Sequence, residues 1–280
     1  MPVLIDRAFV RLSEGLVHLR KIEAQSDDCP PLFMLHLSPL SSVQMEPLMQ
    51  AMHAQGYQGA LIAPDTLGNG DSAPPALEQP EIDYFADSLK RLCGAMGYDK
   101  INILGVHTGA RIACEFAAAY PERTAHAVIV GITEYDAELR DTILAHYAPQ
   151  VEADEYGRQF IWAFNFMRDQ AFHFPYFMRD AEHRLATVMP SPEKLHDMTM
   201  DVLRSLKTYQ KPYLAAFRYP ARSRFAAITV PTILVNTDHT LPNLRAAATE
   251  MAALNPHAKI VETANGDIGL AEAVQTFLAE

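Results

Sequence analysis

Apolar residues recur along this chain in short, bounded runs that alternate with stretches of helical periodicity. Residues 8–13 and 15–23 read as two strands around a turn at Ser13-Glu14-Gly15. Leu16, His18 and Arg20 are expected on a wet face of the second strand, and Val17, Leu19 and Ile22 on a packed one. After a polar loop at 25–31, Leu32-Phe33-Met34-Leu35 suits a buried parallel strand. Ser41 or Ser42 can cap a helix at 43–55, where Met45, Leu48, Met49 and Met52 form a stripe expected to face the core. A strand at 60–63, a helix at 81–96, a strand at 100–104, a helix at 111–120 and a strand at 127–131 follow. From 134 to 222 the periodicity is helical, aromatic and Met-rich with no clear strand. Strand pattern resumes at 228–236, then a helix (241–254), a strand (259–263) and a last helix to 278. This alternation predicts an α/β fold, a doubly wound and mostly parallel sheet with helices on both faces. Ligands then bind at the carboxyl ends of the strands.

The sharpest local signal is Leu104-Gly105-Val106-His107-Thr108-Gly109-Ala110, at the junction of an apolar strand and an Ala-rich helix. Glycines two positions either side of His107 allow a very tight strand-to-helix turn with a strained central residue. A second signal is Pro64-Asp65-Thr66-Leu67-Gly68-Asn69-Gly70-Asp71-Ser72. Its glycines permit a compact turn in which Asp65 and Ser72 are expected to tie down backbone amides, a structural rather than catalytic duty.

Composition narrows the field. At 280 residues the chain can bury a full core, as one large domain or a domain with an insertion. The net charge of -11 comes from scattered acidic residues, which argues against nucleic acid or an anionic membrane as partner. The three cysteines, Cys29, Cys93 and Cys114, cannot form a complete disulfide set and lack metal-ligand spacing. The first eleven residues lack an uninterrupted apolar core, so no signal peptide is read, and no run approaches a membrane span. The expectation is a cytoplasmic soluble protein with a small-molecule substrate as its partner, a homodimer being left open.

The order of these features resembles the α/β-hydrolase superfamily over essentially the whole chain. Leu35-His36, the 64–72 loop, Gly105 to Gly109, Pro121-Glu122-Arg123 and Val230-Pro231-Thr232 carry the resemblance. It implies an eight-stranded sheet with 1–133 and 223–280 as core and 134–222 as a helical cap. It also implies no cofactor and small organic substrates such as esters, lactones, epoxides or halides. A triad in the order Ser, acid, His is implied as well. Here the elbow holds His107, and the turn that should bring the histidine reads Asn265-Gly266-Asp267. Asp238 follows the strand that should bring the acid, with Glu134 as the alternative. A standard serine triad is therefore absent, and epoxide or halide chemistry would need aspartate in the elbow. By position, the oxyanion amides belong to Thr108 and to Leu37 or Ser38.

Three readings follow. In the first, His107 is a general base oriented by Asp267 or Asp238, a contact that would keep its pKa near or above its ordinary value of about 6.5. In the second, His107 itself attacks an acyl group. In the third, the fold is kept as a small-molecule binder and the chemistry is lost. A side chain at the elbow costs roughly 1–3 kcal/mol of strain, so an ionisable group kept there suggests use. His239 is a stand-in base beside Asp238. His173, among Phe172, Phe174 and Tyr176, is expected either to line the substrate pocket or to pack in an aromatic cluster. Arg218, Arg222 and Arg224 would either attract an anionic substrate or be solvated surface charges.

Overall fold

The computed structural model describes residues 3–26 and 28–280. Residues 1 and 2 of the amino-terminal segment, and Asp27 of the loop expected at 25–31, lie outside the described residues. The strands are β1 (Asp6–Arg11), β2 (Leu16–Ile22), β3 (Leu32–Leu35), β4 (Leu61–Pro64), β5 (Ile101–Val106), β6 (Thr124–Val130), β7 (Thr232–Asn236) and β8 (Ala258–Glu262). They form one eight-stranded sheet in the order β1-β2-β4-β3-β5-β6-β7-β8. β1 and β2 pair antiparallel, β2 pairs antiparallel with β4, and the remaining pairs are parallel.

The helices are α1 (Glu46–Ala54), α2 (Ile82–Ala95), α3 (Thr108–Ala119), α4 (Ala137–His146), α5 (Arg158–Gln170), α6 (Pro192–Arg204), α7 (Gln210–Arg218), α8 (Ala221–Ala226), α9 (Pro242–Leu254) and α10 (Gly266–Leu278). Alternation along the central strands assigns the two faces of the sheet. Phe33 and Leu35 pack with Phe85, Leu89, Ile112 and Phe116 of α2 and α3. Leu32 and Met34 pack with Leu48, Met49 and Met52 of α1 and Val274 and Phe277 of α10. The methionine stripe is thus core, and Ser41 caps the short 3-10 turn that leads into α1. A third apolar cluster lies within α4–α7 and their loops, with Tyr147, Phe166, Tyr176 and Tyr209 at its centre and Leu37 and Leu40 of the β3–α1 loop against it. The segment between β6 and β7 carries α4 to α8, and its one extended pairing is an isolated bridge between His173 and Arg184.

One expectation for β2 fails. His18 and Arg20 do not face water: the 64–72 loop covers His18 through Asp65 and Ser72, and Ser42 and Glu46 cover Arg20. Arg20 pairs with Glu46 and donates to Ser42 Oγ at 2.8 Å. His18 Nδ1 meets Asp65 Oδ2 at 2.8 Å. Asp65 also accepts from the Ser42 and Asp71 amides, at 2.7 and 2.8 Å, and Ser72 Oγ donates to its carbonyl at 2.8 Å. The loop is therefore wound around one buried carboxylate, as its turn chemistry predicts. Burial alone would raise the pKa of Asp65. The bond with His18, the field of His36 and the amides of Ser42 and Asp71 outweigh it and hold the carboxyl well below the usual carboxylate range.

A folded pKa below the unfolded one contributes stability above the unfolded value, about 3.9 for Asp, that is lost as pH falls toward the folded one. Asp65→Ala should therefore lower the unfolding free energy in urea by about 3–5 kcal/mol at pH 7. It should also flatten the loss of stability that the unaltered protein shows below about pH 4. A variant within about 1 kcal/mol of the parent would mean that Asp65 does not hold the loop.

Candidate active site

The site is built on a reversal of the chain within one residue. β5 ends at Val106 and α3 begins at Thr108, so His107 alone makes the turn, at φ 49° and ψ −100°. Such a backbone costs a non-glycine residue of the order of 1–3 kcal/mol. Neighbouring contacts enforce it. A Cβ at Gly105 would run into the Gly109 carbonyl, and one at Gly109 into the Leu35 carbonyl, so strand and helix approach at backbone distance. The His107 amide donates to Val130 O at 2.9 Å, and its carbonyl accepts from the Arg111 amide at 3.2 Å. The other positive-φ residue besides glycine among the described residues is Asn265, which precedes α10 at the same end of the sheet.

The His107 ring lies over Gly131, where a Cβ would come within 2.8 Å of its Cε1. It faces open space at the junction of two connected lobes. One lobe, of about 370 Å³, is walled by Tyr135, Tyr147, Phe174, Tyr213 and Phe217, with Arg111 among its polar members. The other, of about 570 Å³, reaches Lys194, His239 and Asp267. His107 is exposed to this space, while protein atoms crowd closely around the ring. That crowding, and the guanidinium of Arg111, pull its pKa down from 6.5 to about 4 against a smaller opposing effect of the Gly131 backbone.

The carboxylates do not join it. Neither Asp267 nor Asp238 hydrogen-bonds to His107 among the described residues, and no carboxylate raises its pKa. The carboxylate contact on which a value near or above 6.5 was expected is therefore absent among the described residues. Asp267 stands in the first turn of α10, on the wall of the larger lobe. Partial burial raises its pKa, and Lys194 and His239 oppose that rise. Asp238 is at the tip of a turn closed by Thr240 N to Thr237 O at 3.0 Å and Thr237 N to Thr240 Oγ1 at 2.8 Å. That turn directs it outward: its side chain is 41% exposed, and it lines neither lobe. Glu134 is also elsewhere, accepting from the Arg222 amide at the start of α8 at 2.8 Å.

The oxyanion positions are half available. Thr108 opens α3, so its amide is one of those a helix leaves without an internal partner, at the positive end of the helix dipole. The Leu37 amide is taken by Gln44 Oε1 at 2.9 Å. Ser38 lines the smaller lobe, and its buried Oγ has no partner among the described residues. His36 is a fold residue: its Nδ1 meets Leu37 O at 2.8 Å while its Nε2 accepts from the Thr66 amide at 3.0 Å, and burial lowers its pKa.

His173 does not line the cavity. It lies in the extended bridge with Arg184, and its neighbour Phe174 takes the wall position, since adjacent residues of extended chain point opposite ways. Arg218, Arg222 and Arg224 are ion-paired with Glu81, Glu250 and Glu115. Sequence reasoning missed Gln44, Lys194 and Arg111. The signal for Arg111 was a cation inside an otherwise apolar stretch of α3, but its i,i+4 spacing to Glu115 suggests an ordinary helical pair. The fold spends Glu115 on Arg224 and Tyr219 instead.

Metal ligation has one candidate group among the described residues, His18 with Asp65 and Asp71, whose ligand atoms lie within 4.8 Å of one another. Those atoms are already engaged by Arg7, the Ser42 amide and one another, which makes the group a fold tie.

A family model for the alpha/beta hydrolase fold matches residues 30–273. Two curated proteins are similar over part of the chain. One is 2-hydroxy-6-oxononadienedioate/2-hydroxy-6-oxononatrienedioate hydrolase 2 of Pseudomonas putida, 30% identical over 131 residues. The other is the corresponding hydrolase 1 of Dechloromonas aromatica (strain RCB), 32% identical over 134 residues. Each match covers 44% of this chain and 44% or 43% of the relative, so the chain spans less than half the length of the curated relatives it matches. Among solved structures, a hydrolase from Pseudomonas aeruginosa PA01 aligns with TM-score 0.72 and 15% identity over 98% of this chain and 99% of that one. The enol-lactonase from Burkholderia xenovorans LB400 aligns with TM-score 0.72 and 16% identity over 98% and 100%. At such identities the likeness is one of fold.

The ring resonances of His107, followed by NMR on labelled protein, should titrate near pH 4 and show a neutral imidazole at pH 6. A midpoint at or above 6.5 would mean that a carboxylate closes on the ring in solution.

Proposed function

The chain belongs to the alpha/beta hydrolase fold family, and we propose that it acts on a small, partly hydrophobic carbonyl compound, an ester, lactone or keto compound, with His107 as general base. The observation that carries this reading is the imidazole at the elbow tip, turned into the cavity beside the Thr108 amide. A neutral imidazole can take a proton from a water attacking the carbonyl, or from carbon next to it. The Thr108 amide then donates to the oxygen on which negative charge develops. A second donor, the Leu37 amide, becomes available if the Gln44 side chain swings away. The names of the two curated relatives describe hydrolysis of oxo compounds, which supports the substrate class.

In this reading the helices of 134–222 act as a cap, their aromatic side chains supplying the apolar wall and limiting water at the reacting carbon. His107 works without a carboxylate partner. Asp267 sets the charge of the larger lobe together with Lys194 and His239 and does not orient the base. Because the base acts in its neutral form, activity rises as pH climbs through the pKa of His107 and is level at neutral pH.

A second reading is favoured by two specific observations: Gln44 occupies one oxyanion amide, and no carboxylate holds His107. On that reading the cavity binds its compound without converting it.

A panel of esters, lactones and β-keto acids separates the two. The enzyme reading expects turnover of at least one member, reduced by about 10²-fold or more in His107→Ala and within about threefold of the parent in Asp267→Asn. Saturable binding without turnover, undiminished in His107→Ala, would establish the binder instead. An acyl adduct on His107 by mass spectrometry during turnover would convert the base into a nucleophile.

A further inference from the structure

Arg111 has no carboxylate partner in the fold. Of the two buried arginines among the described residues, Arg20 is paired with Glu46, whereas Arg111, 4% exposed, enters no ion pair. Its guanidinium is held by main-chain oxygens: Nη1 donates to His107 O at 3.1 Å and Nη2 to Thr133 O at 2.8 Å. The Nε–H is buried and donates to nothing among the described residues. The Tyr135 hydroxyl acts on the guanidinium as a neutral side-chain partner, and Glu115, one turn along α3, is spent on Arg224. Burying a guanidinium without a counter-charge costs several kcal/mol, and carbonyl dipoles offset only part of it.

The surroundings of this cation are selective. Arg111 lines the smaller lobe, which also borders Lys194 and contains no Asp or Glu. A chain with a net charge of -11 thus keeps a cationic, low-dielectric chamber at its elbow. The same wall carries a second unpartnered polar atom, the buried Ser38 Oγ. Building on the reading above that this cavity is the ligand site, we propose that its ligand is an organic carboxylate whose carboxyl group is held by Arg111. A guanidinium suits a carboxylate because its planar fork donates in the carboxylate plane. Arg111 grips the carbonyl of the residue that carries the imidazole, so a carboxylate there places a carbonyl a few bonds away beside His107. The aromatic side chains Tyr135, Phe174 and Phe217 take the apolar body of the molecule. The ligand class is therefore a short oxo acid, or an ester or lactone bearing a free carboxylate, with an apolar or aromatic substituent. The ligand's charge would also neutralise Arg111, one of the two influences that lower the pKa of His107, so binding should make the imidazole more basic.

The probes are 4-oxo-4-phenylbutanoate and its methyl ester, titrated calorimetrically into the intact protein at low salt. The acid should bind at least tenfold more tightly than the ester. Arg111→Gln should remove that preference while leaving the ester within threefold, and Arg111→Lys should keep part of it. In the unaltered protein, saturation with the acid should raise the NMR titration midpoint of His107, a readout that stands even if a variant fails to fold. Equal affinity for acid and ester would overturn the carboxylate assignment and leave the cavity reading intact. A preference for the acid that survives Arg111→Gln would overturn the role of Arg111. Failure of both probes, while a neutral ester of the wider panel is turned over, would overturn the ligand class alone. Failure of every compound would overturn the cavity reading with it.

Discussion

The arrangement depends on a backbone constraint, the reversal of direction between β5 and α3 within the single residue His107. A left-handed conformation at a side-chain-bearing residue is unfavourable in isolation. It persists because both flanking elements are fixed: β5 by pairing with β3 and β6, and α3 by burial along nearly its whole length. The elbow glycines allow that closeness, and Gly131 leaves room for the ring. One strained residue thereby presents its side chain to a cavity and sets a helix N-terminus beside it.

Around this point the fold treats polar groups in two ways. Many buried ones are ties, as with the Asp65 carboxylate and its three donors or His36 bridging two backbone segments. Gln44 belongs with them, pinning the Leu37 amide. The cavity groups differ. His107, Arg111 and Ser38 retain hydrogen-bonding capacity that the protein itself does not use. In an interior where unmade hydrogen bonds are costly, such unused capacity is where a ligand gains most.

Electrostatics then decides what the imidazole is. Crowding by the protein and the neighbouring Arg111 guanidinium both favour the neutral form of the His107 ring. The exchanged histidine–aspartate pair that the chain order suggests is not a contact in the fold. Asp267 shares a cavity wall with His107, and its charge answers to Lys194 and His239.

Local and periodic features of the chain determined the architecture. Bounded apolar runs gave the strands, helical stripes gave the helices, and the Gly-x-His-x-Gly turn marked the candidate site, because period and turn chemistry are properties of neighbours in sequence. Asp65 as a fold tie was legible for the same reason. What the chain alone did not disclose depends on distances between segments far apart in sequence. The covering of His18 by the 64–72 loop and of Arg20 by Ser42 and Glu46 is one case, and Gln44 on the Leu37 amide another. The outward turn of Asp238 and the replacement of His173 by Phe174 at the wall belong with them. Arg111 shows the difference most plainly: its spacing offered Glu115 as a partner, and only the packing of α8 against α3 took that partner away. Pairing in a folded protein is a competition in three dimensions, and sequence spacing names only one of the competitors.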